Sequence, residues 1–198
     1  MMEGRNDHTL AALNGRLYVA GGVHDDGRGD MWVRDSVLRF DIASQMWSWA
    51  PRLPAGLYSH AATTLHDGQI YVTGGNTLDQ HAVATIFVFS DMTNTWSSAP
   101  PMHMARSQHA STAFHDALWV CGGQDGDAMP MRLVESFDPM TRTWTQRASL
   151  VTPRKNPMLG VLHGVLYVCG GGEALRSVER YDMAAGRWEV VDHMELSI

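Results

Sequence analysis

The sequence predicts an all-β chain of four consecutive four-stranded antiparallel sheets. Two observations carry this: a motif set that returns about every fifty residues, and strand-period alternation between turn signals. Gly-Gly pairs stand at Gly21-Gly22, Gly74-Gly75, Gly122-Gly123 and Gly170-Gly171, spaced by 53, 48 and 48 residues. After each pair comes a variable stretch, then an aromatic: Phe40, Phe89, Phe137 or Tyr181. Asp follows it in three copies (Asp41, Asp138, Asp182) and Ser90 in the other. Six residues beyond that position stands a Trp every time: Trp47, Trp96, Trp144 and Trp188.

Each repeat then reads as four strands, a to d. Strand a begins near His8, His60, His109 and Pro157. A tight turn follows at Asn14-Gly15, Asp67-Gly68, Asp116-Ala117 and His163-Gly164, where Asn-Gly and Asp-Gly tolerate the positive φ of two-residue hairpins. Strand b is the alternating segment before the glycines, such as Leu17-Tyr18-Val19-Ala20 and Leu166-Tyr167-Val168-Cys169. The Gly pair permits an unusual backbone path and close approach of neighbouring chain. Strand c carries the aromatic, and strand d the Trp. One such sheet cannot bury both faces, whereas radial stacking does, which makes the sheets blades of a β-propeller. The four Trp are accordingly expected as core anchors between blades.

These Gly-Gly, aromatic-Asp and Trp positions, four times in fixed order across nearly the whole chain, resemble the Kelch repeat family, whose period is about 50. The resemblance implies a Kelch-type β-propeller with four four-stranded antiparallel blades, here a partial propeller or open arc. The blades span roughly 1–53, 54–102, 103–150 and 151–198, because Met102/Arg106 recurs as Met1/Arg5, Leu53/Leu57 and Leu150/Arg154. An open arc leaves apolar faces of the first and last blades uncovered, which predicts self-association or aggregation.

Composition narrows the functional classes. The net charge of −6, with no Lys/Arg run, argues against a nucleic-acid groove. No apolar stretch approaches the length of a membrane span, and the N-terminus lacks a secretory apolar segment. Two cysteines only, Cys121 and Cys169, point to a reducing, cytoplasmic setting. They precede the Gly pair where Ala20 and Thr73 stand elsewhere, and read as buried free thiols. His8, His60 and His109 share one repeat position, but Pro157 breaks the set and no acidic ligand recurs beside it, so backbone satisfaction is expected rather than metal. His66, His115 and His163 are expected to face solvent. The repeating Asp41, Asp138 and Asp182 read as turn formers. There is no Ser-His-Asp set, carboxylate pair or phosphate loop, so no catalytic, cofactor or metal residue is assigned.

In Kelch proteins of the BTB-Kelch type, the resemblance implies a partner-binding face built from two loop sets. By repeat position, the loops before strand a give Asn6, Asp7, Tyr58, Ser59, Ser107, Gln108, Lys155 and Asn156. The b–c loops begin at Val23, Asn76, Gln124 and Gly172 and differ in length, with 17, 13, 13 and 9 residues between the second Gly and the strand-c aromatic. The first contains Trp32, which has no scaffold role; it reads either as an interface anchor or as a cover over its own blade. Some relatives bind acidic peptides through loop arginines. Asp7, Ser59, Gln108 and Asn156 stand here instead, which favours a neutral, polar or basic partner segment.

The leading expectation is therefore a non-enzymatic protein-interaction module, resembling the substrate-recognition region of Cullin-3 ubiquitin ligase adaptors. Its partner is a protein, and Cullin-3 would be reached only through BTB and BACK regions absent from these 198 residues. The alternatives are an actin- or cytoskeleton-binding Kelch protein, and a Kelch-fold enzyme such as a sugar epimerase or copper oxidase.

Overall fold

The computed structural model describes residues 3–25, 31–172 and 176–193, and all regular structure among them is strand. It divides into two units, Met1–Ser107 and Gln108–Ile198. In the first unit, blade 1 is formed by β1 (Thr9–Leu13), β2 (Arg16–Ala20), β5 (Val37–Asp41) and β6 (Met46–Ala50) in that spatial order. A short ribbon, β3 (Val23–Asp25) with β4 (Met31–Val33), occupies its long b–c loop. Blade 2 holds β7 (Ala61–Thr64), β8 (Gln69–Thr73), β9 (Ile86–Ser90) and β10 (Thr95–Ala99). In the second unit, blade 3 comprises β11 (Ala110–Phe114), β12 (Ala117–Cys121), β13 (Val134–Asp138) and β14 (Thr143–Arg147). Blade 4 comprises β15 (Met158–Leu162), β16 (Val165–Cys169), β17 (Ser177–Asp182) and β18 (Arg187–His193). Every neighbouring pair in these sheets is antiparallel, as the alternation requires.

The a–b turns follow the left-handed chemistry read from the sequence in blades 1 and 4, with corrections in blades 2 and 3. In blade 2 the Leu65 N–H donates to the Gln69 carbonyl at 3.0 Å, so the turn is the three-residue His66-Asp67-Gly68 rather than Asp67-Gly68 alone, and among these three only the glycine has a positive φ. Asn14-Gly15 and His163-Gly164 both have two positive φ values. In blade 3 the turn is His115-Asp116, one residue earlier than Asp116-Ala117, with φ of 46° and 57°. Pairing of Phe114 with Ala117 sets that register and puts Asp116 at the position that glycine takes in blades 1 and 4. At the c–d turns, Oδ1 of Asp41 accepts from the Ser44 N–H (2.9 Å), and Oδ1 of Asp138 from Met140 and Thr141 (2.8 and 3.2 Å). Oδ1 of Asp182 accepts from Ala184 and Ala185 (2.9 and 3.0 Å). Backbone N–H groups hold these three carboxyls below the usual Asp range.

Side-chain alternation gives each blade a leading and a trailing face. In the first unit the trailing face of blade 1 (Ala11, Leu13, Tyr18, Ala20, Val37) packs against Ile70, Val72, Phe87 and Phe89 of blade 2. In the second, Phe114, Trp119, Cys121 and Val134 pack against Leu166, Val168, Tyr181 and Trp188. The strand-d Trp lies against the strand-c aromatic of its own blade, with ring centroids 5.1, 5.0, 5.2 and 5.3 Å apart in blades 1 to 4. A strand-b aromatic of the preceding blade caps the pair: Tyr18 on Phe89 at 5.2 Å and Trp119 on Tyr181 at 5.1 Å. Trp188 is buried, while Trp47, Trp96 and Trp144 are half-buried, so the anchoring expected of all four is deepest in blade 4. Trp96 also donates from its indole N–H to the Pro51 carbonyl at 2.9 Å, tying blade 2 to the end of blade 1. Cys121 is buried and Cys169 only partly so, and neither forms a disulfide.

Beneath the blade tops sit buried arginines. Arg5 donates to the Gly21 and Ser36 carbonyls at 3.0 and 2.9 Å and to the Ser36 hydroxyl at 3.1 Å. Arg154 repeats this in blade 4, with the Gly170 carbonyl at 2.6 Å and the Ser177 hydroxyl at 2.8 Å. It adds an ion pair to Glu179 at 2.8 Å in which both side chains are fully buried. The same carboxylate accepts the Val151 and Thr152 N–H groups at 2.7 and 3.1 Å. Blade 2 replaces the whole set: Leu57 stands for the Arg and Phe87 for the Glu, both in the apolar cluster, and Pro54, which has no N–H, stands for Val151.

Two outcomes test this account. Trp96→Ala should lower stability by about 3 kcal/mol in urea melts, through lost aromatic packing and an orphaned carbonyl; a loss below about 1 kcal/mol would contradict the anchoring role. Glu179→Ala should cost about 3–5 kcal/mol by leaving a buried guanidinium uncompensated. The triple change Val151→Pro, Arg154→Leu and Glu179→Phe, which copies blade 2, should recover most of that loss.

Candidate functional site

The Gly pairs build the loop face. The first glycine of each pair has φ of 56–64° and the second 95–98°, the latter outside the left-handed well that other residues tolerate. The second glycine of blade 1 donates its N–H to the Leu57 carbonyl at 2.7 Å, and that of blade 3 donates to the Arg154 carbonyl at 2.8 Å. A Cβ on Gly21 would lie 2.5 Å from the Leu57 oxygen, and one on Gly122 2.7 Å from the Arg154 oxygen. The b–c loops of blades 1 and 3 are thereby stitched to the segment that leads into the next blade.

That stitching brings the two predicted loop sets together. Asn6 and Val23 exchange backbone hydrogen bonds at 2.8 Å, and Tyr58 and Asn76 do so at 3.1 and 2.8 Å. The Ser59 N–H donates to the Asp7 carbonyl at 2.9 Å, and in the second unit the Asn156 N–H donates to the Gln108 carbonyl at 2.8 Å. Asp7, Ser59, Gln108 and Asn156 are repeat equivalents, and all four are left-handed, with φ of 52°, 51°, 53° and 56°. Non-glycine residues held there carry strain that the surrounding bonds must offset.

The eleven sequence candidates separate by depth. Asn6, Asp7 and Asn156 are exposed; Tyr58, Ser59, Gln108 and Lys155 are half-buried. Asn76, Ser107 and Gln124 are buried, so they hold the loops from within rather than lining their surface. Asn76 bridges both Tyr58 and Ala82, and Gln124 bridges Pro130. Burial pushes the Tyr58 phenol above its usual range and the Asp7 charge adds to this, while a hydrogen bond to Asn76 opposes it. Among the described residues no group of three His, Cys, Asp or Glu side chains is placed to hold a metal. No helix among them is long and apolar enough to cross a membrane.

Trp32 lies on the β3–β4 ribbon, half exposed and stacked on His24 at 5.8 Å. It lines a cleft of about 190 Å³ with Val33, Arg34, Asp35, Trp49 and Arg52. Arg34 pairs with Glu3 at 2.9 Å and Arg52 with Asp35 at 2.6 Å, so the charges lining the cleft are matched. Sequence reasoning missed Trp49. Its signal was available: the repeats carry Ser98, Gln146 and Val190 there, so a Trp two residues after Trp47 is a departure from the scaffold. The ribbon itself was missed because each of its strands has only three residues.

Of the recurring histidines, His8 is exposed and His60 and His109 are buried. His60 lies 2.8 Å from the Thr9 hydroxyl through Nε2. Burial pushes its pKa down to about 4, and the His8 charge lowers it further, against a hydrogen bond to the Ala20 backbone. The neutral ring is therefore the form that the fold accepts. His66, His115 and His163 lie exposed at the a–b turns.

Comparison with known proteins places these features. The family model described as the KLHDC2/KLHL20/DRC7 Kelch-repeats domain matches residues 5–197. Human Kelch-like protein 33 is 40% identical over 75 residues, which cover 38% of this chain and 13% of that protein. N-acetylneuraminate epimerase of Yersinia enterocolitica is 40% identical over 74 residues, covering 36% and 19%. The matched segments thus span less than a fifth of either relative. The solved structure titled "Structure of YjhT" superposes with a TM-score of 0.82 at 18% identity, covering 96% of this chain and 71% of that one, a likeness of fold alone.

The His60 shift predicts a pH dependence. Because its folded pKa lies below the ordinary 6.5, the unfolded chain binds the proton more readily between these values. The contribution is fully present above 6.5 and is lost as pH falls toward 4, on the order of 3 kcal/mol in all. Urea melts across this window should show the wild type losing stability on acidification and His60→Gln losing less; parallel slopes would refute the assignment.

Proposed function

The chain belongs to the Kelch-repeats domain family, and on that premise we propose that it is a recognition module, holding a segment of another protein against its strained loop face. The observation that carries this is the left-handed set Asp7, Ser59, Gln108 and Asn156. In each unit, two equivalent non-glycine residues kept in a costly conformation, on loops tied by backbone bridges, form a rigid frame for presenting side chains. Trp32 beside the cleft supplies an aromatic anchor of the kind that dominates protein interfaces. The partner segment is neutral, polar or basic: Asp7 is exposed and the neighbouring loop positions hold no arginine. Lys155 and Asn156 frame the corresponding loop in the second unit. The likeness to Kelch-like proteins supports the substrate-holding part of a ubiquitin-ligase adaptor in the cytoplasm, whose Cullin-3-recruiting BTB and BACK regions lie outside these 198 residues. Two cysteines outside any disulfide agree with a reducing compartment.

A second reading rests on the epimerase relative: a module that turns over N-acetylneuraminate. Peptide-library selection against the whole chain, run beside an epimerisation assay on that sugar, separates the two. The recognition reading expects selected peptides whose binding falls at least about tenfold in the triple variant Trp32→Ala, Ser59→Gly, Gln108→Gly, with the melting curve retained. Glycine removes the two loop side chains while accepting the left-handed backbone. Undiminished binding puts the face elsewhere, and rapid epimerisation would favour the enzyme.

A further inference from the structure

The trailing face of blade 4 repeats, residue by residue, the surface with which blade 3 binds its successor. Leu162, Tyr167 and Cys169 are the equivalents of Phe114, Trp119 and Cys121. In blade 3 these three are 4%, 3% and 0% exposed, covered by Leu166, Val168, Tyr181 and Trp188. In blade 4, Leu162 is 60% exposed, Met158 beside it 74%, and Tyr167 and Cys169 are half-buried. They line an apolar groove of about 290 Å³. The chain also carries the matching half. On the leading face of blade 1, Leu17, Phe40 and Trp47 are half-buried, whereas the equivalent Ile70 and Phe89 of blade 2 are 1% and 0% exposed.

We propose that the trailing face of blade 4 binds the leading face of blade 1 of a second copy of this chain, in the register that joins successive blades within each unit. The position at the rim of that register argues for this occupant. Between blades 1 and 2 it is polar on both sides: Arg16 pairs with Asp91 at 3.3 Å, and the Tyr18 hydroxyl donates to Asp91 at 2.8 Å. The repeat equivalents at the proposed contact are Val165 on blade 4 and Ile42 on blade 1, the latter 54% exposed. Each side has exchanged its charge for an aliphatic group, so each matches the other; against Ile42, Arg16 would keep only its Asp41 partner, and against Val165, Asp91 would lose its arginine. Tyr167 takes the place of Tyr18, over Phe40 of the second copy. The same patch is not used on both sides, so the contact is heterologous.

Sedimentation equilibrium of the whole chain tests it. The expected result is a mass that rises above 21.9 kDa with concentration, with dissociation in the micromolar range, about 1–100 μM. Leu162→Glu and Met158→Lys, both at exposed positions, should leave the melting curve unchanged and weaken association at least tenfold. Val165→Arg and Ile42→Asp should each do the same alone. An equimolar mixture of these two chains should associate again, since the Arg of one then meets the Asp of the other as Arg16 meets Asp91. A single mass at every concentration overturns the proposal and leaves the face to another occupant. Association that survives all four substitutions, or a mixture no tighter than its components, overturns it as well.

Discussion

The structure depends on a three-ring chain in which a strand-b aromatic of one blade packs on the strand-c aromatic of the next, which packs in turn on the strand-d Trp of that blade. Tyr18, Phe89 and Trp96 make it in the first unit, and Trp119, Tyr181 and Trp188 in the second. A four-stranded sheet has two apolar faces and no helix to cover either, so its burial comes from neighbouring sheets. The rings set how closely the blades approach, and small residues such as Ala11, Ala20 and Ala62 fill the space beside them. Offset and tilted ring pairs add directional preference to the non-directional apolar term.

The loop face follows from that stacking. Once sheets are pressed together, the chain leaving strand b must turn where the segment entering the next blade passes, and no side chain fits there. The glycines meet this need, and their N–H groups satisfy carbonyls that the close approach would otherwise bury unpaired. Packing thus extends into the loops through backbone hydrogen bonds, which explains how Asp7, Ser59, Gln108 and Asn156 are kept left-handed.

Polar groups inside the blades obey the same logic of mutual dependence. Arg154 and Glu179 occur together, and so do Leu57 and Phe87, with Pro54 removing the donor that would lack an acceptor. Blade 1 keeps the arginine but has Leu38 at the carboxylate position, and Glu3 supplies the counter-charge at 3.3 Å from outside the sheet. Burial pushes the Arg5 guanidinium below its ordinary range, with Glu3 opposing this. Three solutions to one site show that local complementarity, rather than residue identity, is what the blade demands.

The strand order, the recurrence of an aromatic on strand c and a Trp on strand d, and the two glycines were all legible in the amino-acid sequence, because each rests on short-range periodicity and on backbone conformations that few residues adopt. Depth and facing were not. Only packing decided that Asn76, Ser107 and Gln124 turn inward while Asn6 and Asp7 stay out, that Cys169 is less covered than Cys121, and that Trp32 and Trp49 line one cleft. Those properties depend on groups distant in the chain. A repeat motif specifies what a residue is within its own blade, but its exposure is set by what the neighbouring sheet and loop place over it.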